Sequence, residues 1–168
     1  MALAVLLLAG GCDHATKQLA KDALAAAPPI SLAADAIRLE LATNPGGLLS
    51  LGASLPAQVR SAIFLVLVPL LVLLVGAVVL RTPWPSAWPF VALGLVAGGG
   101  LANWVDRLLH GGAVTDFVSL GLGSLRTGIF NVADVCVLAG VAILIRAGWD
   151  RGEAPAAEPG AGIGRPTS

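Results

Sequence analysis

Charged side chains are scarce in this chain. Asp, Glu, Lys and Arg make up 12% of its 168 residues, where soluble domains carry about 25%. With 57% hydrophobic residues and a mean hydropathy of +0.87, that shortage excludes an ordinary water-soluble domain and points to a membrane protein. Neither sign of charge is in surplus, since Lys+Arg and Asp+Glu number 10 each. Without a basic excess, nucleic acid is not an expected partner. Cysteine is almost absent. Cys12 and Cys136 lie far apart in apolar stretches and form no CxxC or Cys/His cluster. Neither a disulfide scaffold nor a metal site is expected, and both are read as small buried hydrophobes. Histidine is limited to His14 and His110. Neither has a serine or cysteine partner in a recognisable context, so both are read as interfacial polar residues rather than catalysts. The run Gly98-Gly99-Gly100 lies within an apolar stretch and is read as a helix-packing feature, not a phosphate loop. No cofactor is implied.

What is present is a set of apolar stretches. Ser61 to Leu80 carries no charge between Arg60 and Arg81, and a membrane span needs roughly 20 such residues. Trp88 to Trp104 is uncharged until Asp106, and Phe130 to Ile145 has one charge, Asp134. Met1 to Gly11 is too short to span alone, and becomes long enough if its helix continues past Asp13 and Lys17 towards Ala25. The expectation is therefore four membrane helices in residues 1–150, the first minimal or its start late. Ile37-Arg38-Leu39-Glu40-Leu41 alternates apolar and polar residues, the period of a half-buried strand. Asn44-Pro45-Gly46-Gly47 reads as a turn and Leu48–Leu51 as a returning strand. A small β element is thus expected in the loop at about 28–58. His110 to Gly128 reads as a glycine-rich link, and residues 151–168 as a disordered tail. Leu7 to Cys12 resembles the cleavage box of a lipoprotein precursor, but no basic residue precedes it. Cys12 is read as a residue of the first span.

The few polar groups gather towards one end of the spans. Asp13 and Lys17 lie late in the first, Asn44 in the loop that follows, Asn103, Asp106 and Arg107 at the end of the third. Asp116 lies in the next link, and Asn131 and Asp134 open the fourth. An up-down-up-down bundle brings all of them to one membrane face. Ionisable groups in lipid cost about 2.5–3.5 kcal/mol on insertion scales, so those that persist are paired, solvated or functional. Two close aspartates cannot both ionise, and one keeps a proton. The ionised one can take a proton from water while the other polarises a peptide carbonyl. Asp116 and Asp134 suit that chemistry. Their spacing alone leaves open that each caps a helix or pairs with Arg107.

Five short motifs, in order, carry a resemblance. Asp13-His14-Ala15-Thr16-Lys17 is similar to D-x-x-T-K, and Asn44-Pro45-Gly46 to N-x-G. Gly98 to Arg107 resembles G-G-x-x-G-N-x-x-D-R, Val114-Thr115-Asp116-Phe117 resembles V-x-D-F, and Phe130 to Asp134 reads F-N-x-A-D. The chain resembles the lipoprotein signal peptidase family, membrane aspartic peptidases also called signal peptidase II. That resemblance implies four transmembrane helices with a small extracytoplasmic β-cradle and a catalytic pair, Asp116 and Asp134. It implies that Asn103 and Asn131 fix the pair's geometry and that Asn44 lines the substrate groove. Arg107, with Asp106 beside it in the motif, supports the site electrostatically, and Asp13 and Lys17 form a supporting pair. The implied substrate is a prolipoprotein with diacylglycerol on the cysteine after the cut. The implied setting is the bacterial inner membrane, among membrane lipid, with the site near the extracytoplasmic face; nothing in the sequence demands more than one copy, so a monomer is expected. Two positions depart from the pattern: Ala102 replaces a glycine, and Leu49 stands where phenylalanine is common. A non-enzymatic four-span protein, a small transporter or assembly factor, is the rival reading. It predicts charges near the bilayer midplane.

Overall fold

The computed structural model describes residues 1–47 and 51–152. Four helices form: α1 (Ala2–Leu24), α2 (Ala57–Arg81), α3 (Trp88–Leu109) and α4 (Val132–Gly152). Of these, α2, α3 and α4 are long and apolar enough to cross a membrane. The protein is a multi-pass membrane protein on that ground. α1 does continue past Gly11, through Asp13, Lys17 and Lys21, to Leu24.

α3 is the central helix, and its glycines show why. Successive residues on a helix turn by about 100°, so Gly98, Gly99 and Gly100 face three different neighbours. A methyl group on Gly98 would come within 2.6 Å of the Leu6 carbonyl of α1, and one on Gly99 would strike the Ala133 carbonyl of α4. At Gly100 the nearest atom, Val72 of α2, stands at an ordinary 3.5 Å. In lipid, close backbone approach and dispersion hold helices together.

α2 is irregular. Residues Ala62–Leu67 form a wide turn of i→i+5 bonding, a form that is rare and usually local. Pro69 follows and has no N–H to give the carbonyl four residues back, that of Leu65. The indole N–H of Trp104 on α3 donates to that oxygen at 3.1 Å. At the far end of α2 the Trp84 indole donates to the Val79 carbonyl at 2.9 Å.

The connections build one antiparallel sheet in the order β1 (Ile30–Leu32), β2 (Ile37–Asn44), β3 (Val114–Leu122), β4 (Leu125–Arg126). The strand at Ile37 to Leu41 is where its alternation puts it. The link read as a glycine-rich loop contains β3 instead. Its β-branched core, Val114, Thr115 and Val118, was hidden by the glycines that flank it. The expected returning strand at Leu48–Leu51 falls outside the described residues except for Leu51, which lies in a turn. Leu49 and the tail from residue 153 onward also lie outside them. Ala20, Leu24 and Phe117 form a small core, with Leu39, Val118 and Val132 packed on it, that joins α1 and the start of α4 to the sheet. The cysteine reading is corrected: Cys12 is exposed and Cys136 half-buried, both as free thiols. An apolar stretch in a membrane helix can face outward, so hydrophobic surroundings in sequence do not imply burial.

Candidate active site

Asn131 precedes the first turn of α4 and is 1% exposed. Its side-chain oxygen accepts the Asp134 N–H at 3.0 Å, and its own N–H donates to the Asp134 carboxylate at 3.3 Å. This is a capping box written with Asn and Asp, and it satisfies helix-end N–H groups. The capping role considered for Asp134 is therefore real. It does not exhaust the residue, because the Asp134 carboxylate also accepts the Asn103 side-chain amide at 2.9 Å. The amide of Asn131 meanwhile donates to the Asp116 carboxylate at 2.6 Å. Both carboxylates are thus hydrogen bonded to one residue.

Asp116 is fully buried on β3. Antiparallel pairing sets Ala42 opposite Asp116 and Asn44 opposite Val114. Asn44 is then a diagonal neighbour on the same face, and its amide reaches the second Asp116 oxygen at 2.7 Å. A register irregularity between Leu39 and Ala42 sits next to this contact, as bulges beside sites often do. Burial pushes the Asp116 carboxyl up to about 6. The Asn44 and Asn131 amides pull it down, and the charge of Asp134 adds to the rise.

Lys17 is 2% exposed and supports the site from α1. Its ammonium meets Asp13 at 2.6 Å, Asp106 at 2.9 Å and the Asn103 side-chain oxygen at 2.9 Å. The expected Asp13–Lys17 pair is therefore part of a larger network. Asp13 also accepts the Ala133 N–H at 2.8 Å, capping α4 from α1. Asp106 reaches the Thr115 N–H beside Asp116 at 3.4 Å.

Arg107 is buried but takes neither aspartate as a hydrogen-bond partner among the described residues. It donates to the backbone carbonyls of Asn103 and, across the fold, Gly46. Pairing with Arg107 therefore does not account for Asp116 or Asp134. The turn at Asn44 forms as read. The Asn44 side-chain oxygen accepts the Gly46 N–H at 2.8 Å, and its amide donates to the Gly47 carbonyl at 2.9 Å. Two participants escaped the sequence reading. Phe64 lies over the Arg107 guanidinium at 4.6 Å, and Thr115 contributes its backbone. Nothing marks Phe64 within a uniformly apolar span. All nine candidate residues nevertheless belong to one connected cluster. Among the described residues, no three His, Cys, Asp or Glu side chains are placed to hold a metal.

Residues 3–149 match the family described as Signal peptidase (SPase) II. A lipoprotein signal peptidase of Methylobacterium sp. (strain 4-46) is 40% identical over 94 residues, 51% of this chain and 56% of that protein. One from Rhodococcus jostii (strain RHA1) is 32% identical over 138 residues, 79% of this chain and 64% of that protein. The chain thus spans under two thirds of either relative's length. Two solved bacterial membrane enzymes share the fold. One has a TM-score of 0.79 at 18% identity, over 94% of this chain and 92% of its own. The other has 0.74 at 20% identity, over 87% and 90%.

Proposed function

The chain belongs to the signal peptidase II family, and on that footing we propose that it is an aspartic endopeptidase that removes signal peptides from prolipoproteins. The substrate carries diacylglycerol on the cysteine after the cut, and Asp116 and Asp134 are the catalytic pair. One observation carries this reading: both carboxylates are bonded to Asn131 inside one buried polar cluster. Beyond the rise that burial gives it, Asp116 is raised by the charge of Asp134, and two carboxyls that oppose each other in this way keep one proton between them. We assign that proton to Asp116, the fully buried member of the pair, whose carboxyl burial pushes up to about 6. The ionised partner takes a proton from water, whose oxygen attacks the scissile carbonyl. Asp116 polarises the carbonyl oxygen, and the leaving amine of the lipidated cysteine takes up a proton as the C–N bond breaks. Asn103 and Asn131 hold the pair, Asn44 borders the groove, and the Asp13–Lys17–Asp106 network fixes the helices that carry it.

In this reading α1 is a fourth span, at 23 residues roughly 34 Å long and enough to cross. The sheet lies at the extracytoplasmic face of the bacterial inner membrane, the substrate helix enters from lipid, and one copy suffices. Residues 1–150 form the peptidase domain. Asp116 lies on a strand and Asp134 in the first turn of a helix, which favours a peptidase over a transporter, while Asp13, halfway along α1 rather than late in it, is neutralised by Lys17. The test is incubation of the purified protein with a diacylglyceryl-modified precursor. Asp116→Asn and Asp134→Asn should each slow cleavage by about 10³-fold, in the range for general acid–base groups, while the protein still inserts. Normal processing by both variants would sink the proposal.

A further inference from the structure

Arg107 is 7% exposed, and its Nε has no hydrogen-bond partner among the described residues. Its two donations, to the carbonyls of Asn103 and Gly46, leave one edge of the guanidinium unheld. What covers the group is the ring of Phe64, with the guanidinium carbon 4.6 Å from the ring centroid. A buried cation over an aromatic face is attracted by the ring's quadrupole.

The same ring also abuts the turn. A methyl group at Gly47 would come within 2.9 Å of the Phe64 Cε1. The turn therefore rests on Phe64 at Gly47 and on Arg107 at Gly46. Both glycines bond the Asn44 side chain, Gly46 through its N–H and Gly47 through its carbonyl. The Asn44 amide then reaches Asp116 at 2.7 Å. Phe64 belongs to the wide turn of α2. Such turns shift the residues they carry away from regular helical placement.

We propose that Phe64 is a positioning residue: its ring holds the Arg107 guanidinium against the Asn44–Gly47 turn and so aims the Asn44 amide at Asp116. Its consequence for catalysis rests on the peptidase reading. Its consequence for Asp116 does not. A leucine at this position would fill most of the volume but offer no π face. If Phe64 only filled space, leucine would serve.

The experiment compares full-length wild-type protein with Phe64→Leu, Phe64→Tyr, Asn44→Ala and the Phe64→Leu/Asn44→Ala double variant. Two readouts are taken: cleavage of a lipidated precursor across pH, and titration of the Asp116 carboxyl by carbon NMR or difference infrared. Phe64→Leu should lower kcat about tenfold, the factor that ~1.4 kcal/mol represents, with KM little changed. The Asn44 bond favours the ionised carboxylate, so Phe64→Leu should also raise the pH at which Asp116 titrates and move the alkaline limb of the rate profile upward. Phe64→Tyr, which keeps the ring, should restore both. In the Asn44→Ala background Phe64→Leu should add nothing, the signature of residues acting through one contact. Wild-type rate and titration in Phe64→Leu would overturn the inference, as would an equal loss in both backgrounds. If the wild-type protein cleaves no precursor, the peptidase reading fails. The titration then decides the inference alone, supporting it by an upward shift in Phe64→Leu and overturning it if there is none.

Discussion

Lys17 shows how much a single buried charge can organise. It is 2% exposed and meets Asp13, Asp106 and Asn103 within 2.9 Å. Removing one partner from a buried ionic group leaves the others uncompensated, at a cost of about 3–5 kcal/mol. Lys17→Met should lower thermal stability in detergent by that order, because two carboxylates would then face each other across α1 and α3. An unchanged unfolding temperature would mean that the network is incidental. Asp116 makes a second prediction, on pH. Its carboxyl is raised from 3.8 to about 6, chiefly by burial. For an acid shifted upward, the folded state binds the proton more tightly than the unfolded chain. Its favourable contribution is full below about 4 and is lost as pH rises through about 6. Cleavage needs that shared proton, so kcat/KM should fall as pH rises above about 6. A rate that keeps climbing well past neutrality would contradict Asp116 as the acid.

Helices here are joined by backbone contact more than by side-chain bulk. The glycines of α3 make opposite forecasts for one chemical change. A methyl at Gly99 runs into the Ala133 carbonyl, whereas at Gly100 the nearest atom is 3.5 Å away. Gly99→Ala should therefore push α3 from α4 just where Asp134 is mounted, with a loss of about 1–3 kcal/mol typical of overpacking. Gly100→Ala should be neutral or slightly stabilising, since it removes helix-interior glycine entropy. Unfolding temperatures of the two variants measured side by side check both. The start of α4 is similarly shared. Asn131 caps it from within its own chain segment, and Asp13 caps it from α1. A helix that ends in a functional cluster thus has its terminal N–H groups committed to the residues that build the cluster.

Across the molecule, the site draws on all four helices and on β2 and β3, so no single segment contains it. If all four helices cross, the start of α1 and the end of α4 lie on one side and the sheet on the other. Cysteine placed at Leu125, which is 74% exposed on β4, in a background lacking Cys12 and Cys136, should react with a membrane-impermeant thiol reagent in intact cells with the outer membrane opened. Cysteine placed at Trp149, near the end of α4, should react only after lysis. Labelling of both from the same side would rule out the four-span arrangement.

The order of residues alone settled a good deal. Long uncharged runs such as Ser61–Leu80 dictate membrane helices, because lipid offers no partners to an unpaired backbone. Alternation at Ile37–Leu41 identified β2, and Asn131 and Asp134 stood at the opening of the fourth apolar stretch. Five motifs in sequence pointed to the family. Local pattern could not reveal β3, whose strand exists because β2 supplies its hydrogen bonds. Nor could it tell that Cys12 faces outward, or that Arg107 turns to carbonyls rather than to an aspartate. Phe64 looked like any other apolar residue of its span. Those features depend on which surfaces meet, and distant segments acquire neighbours only when the chain has folded.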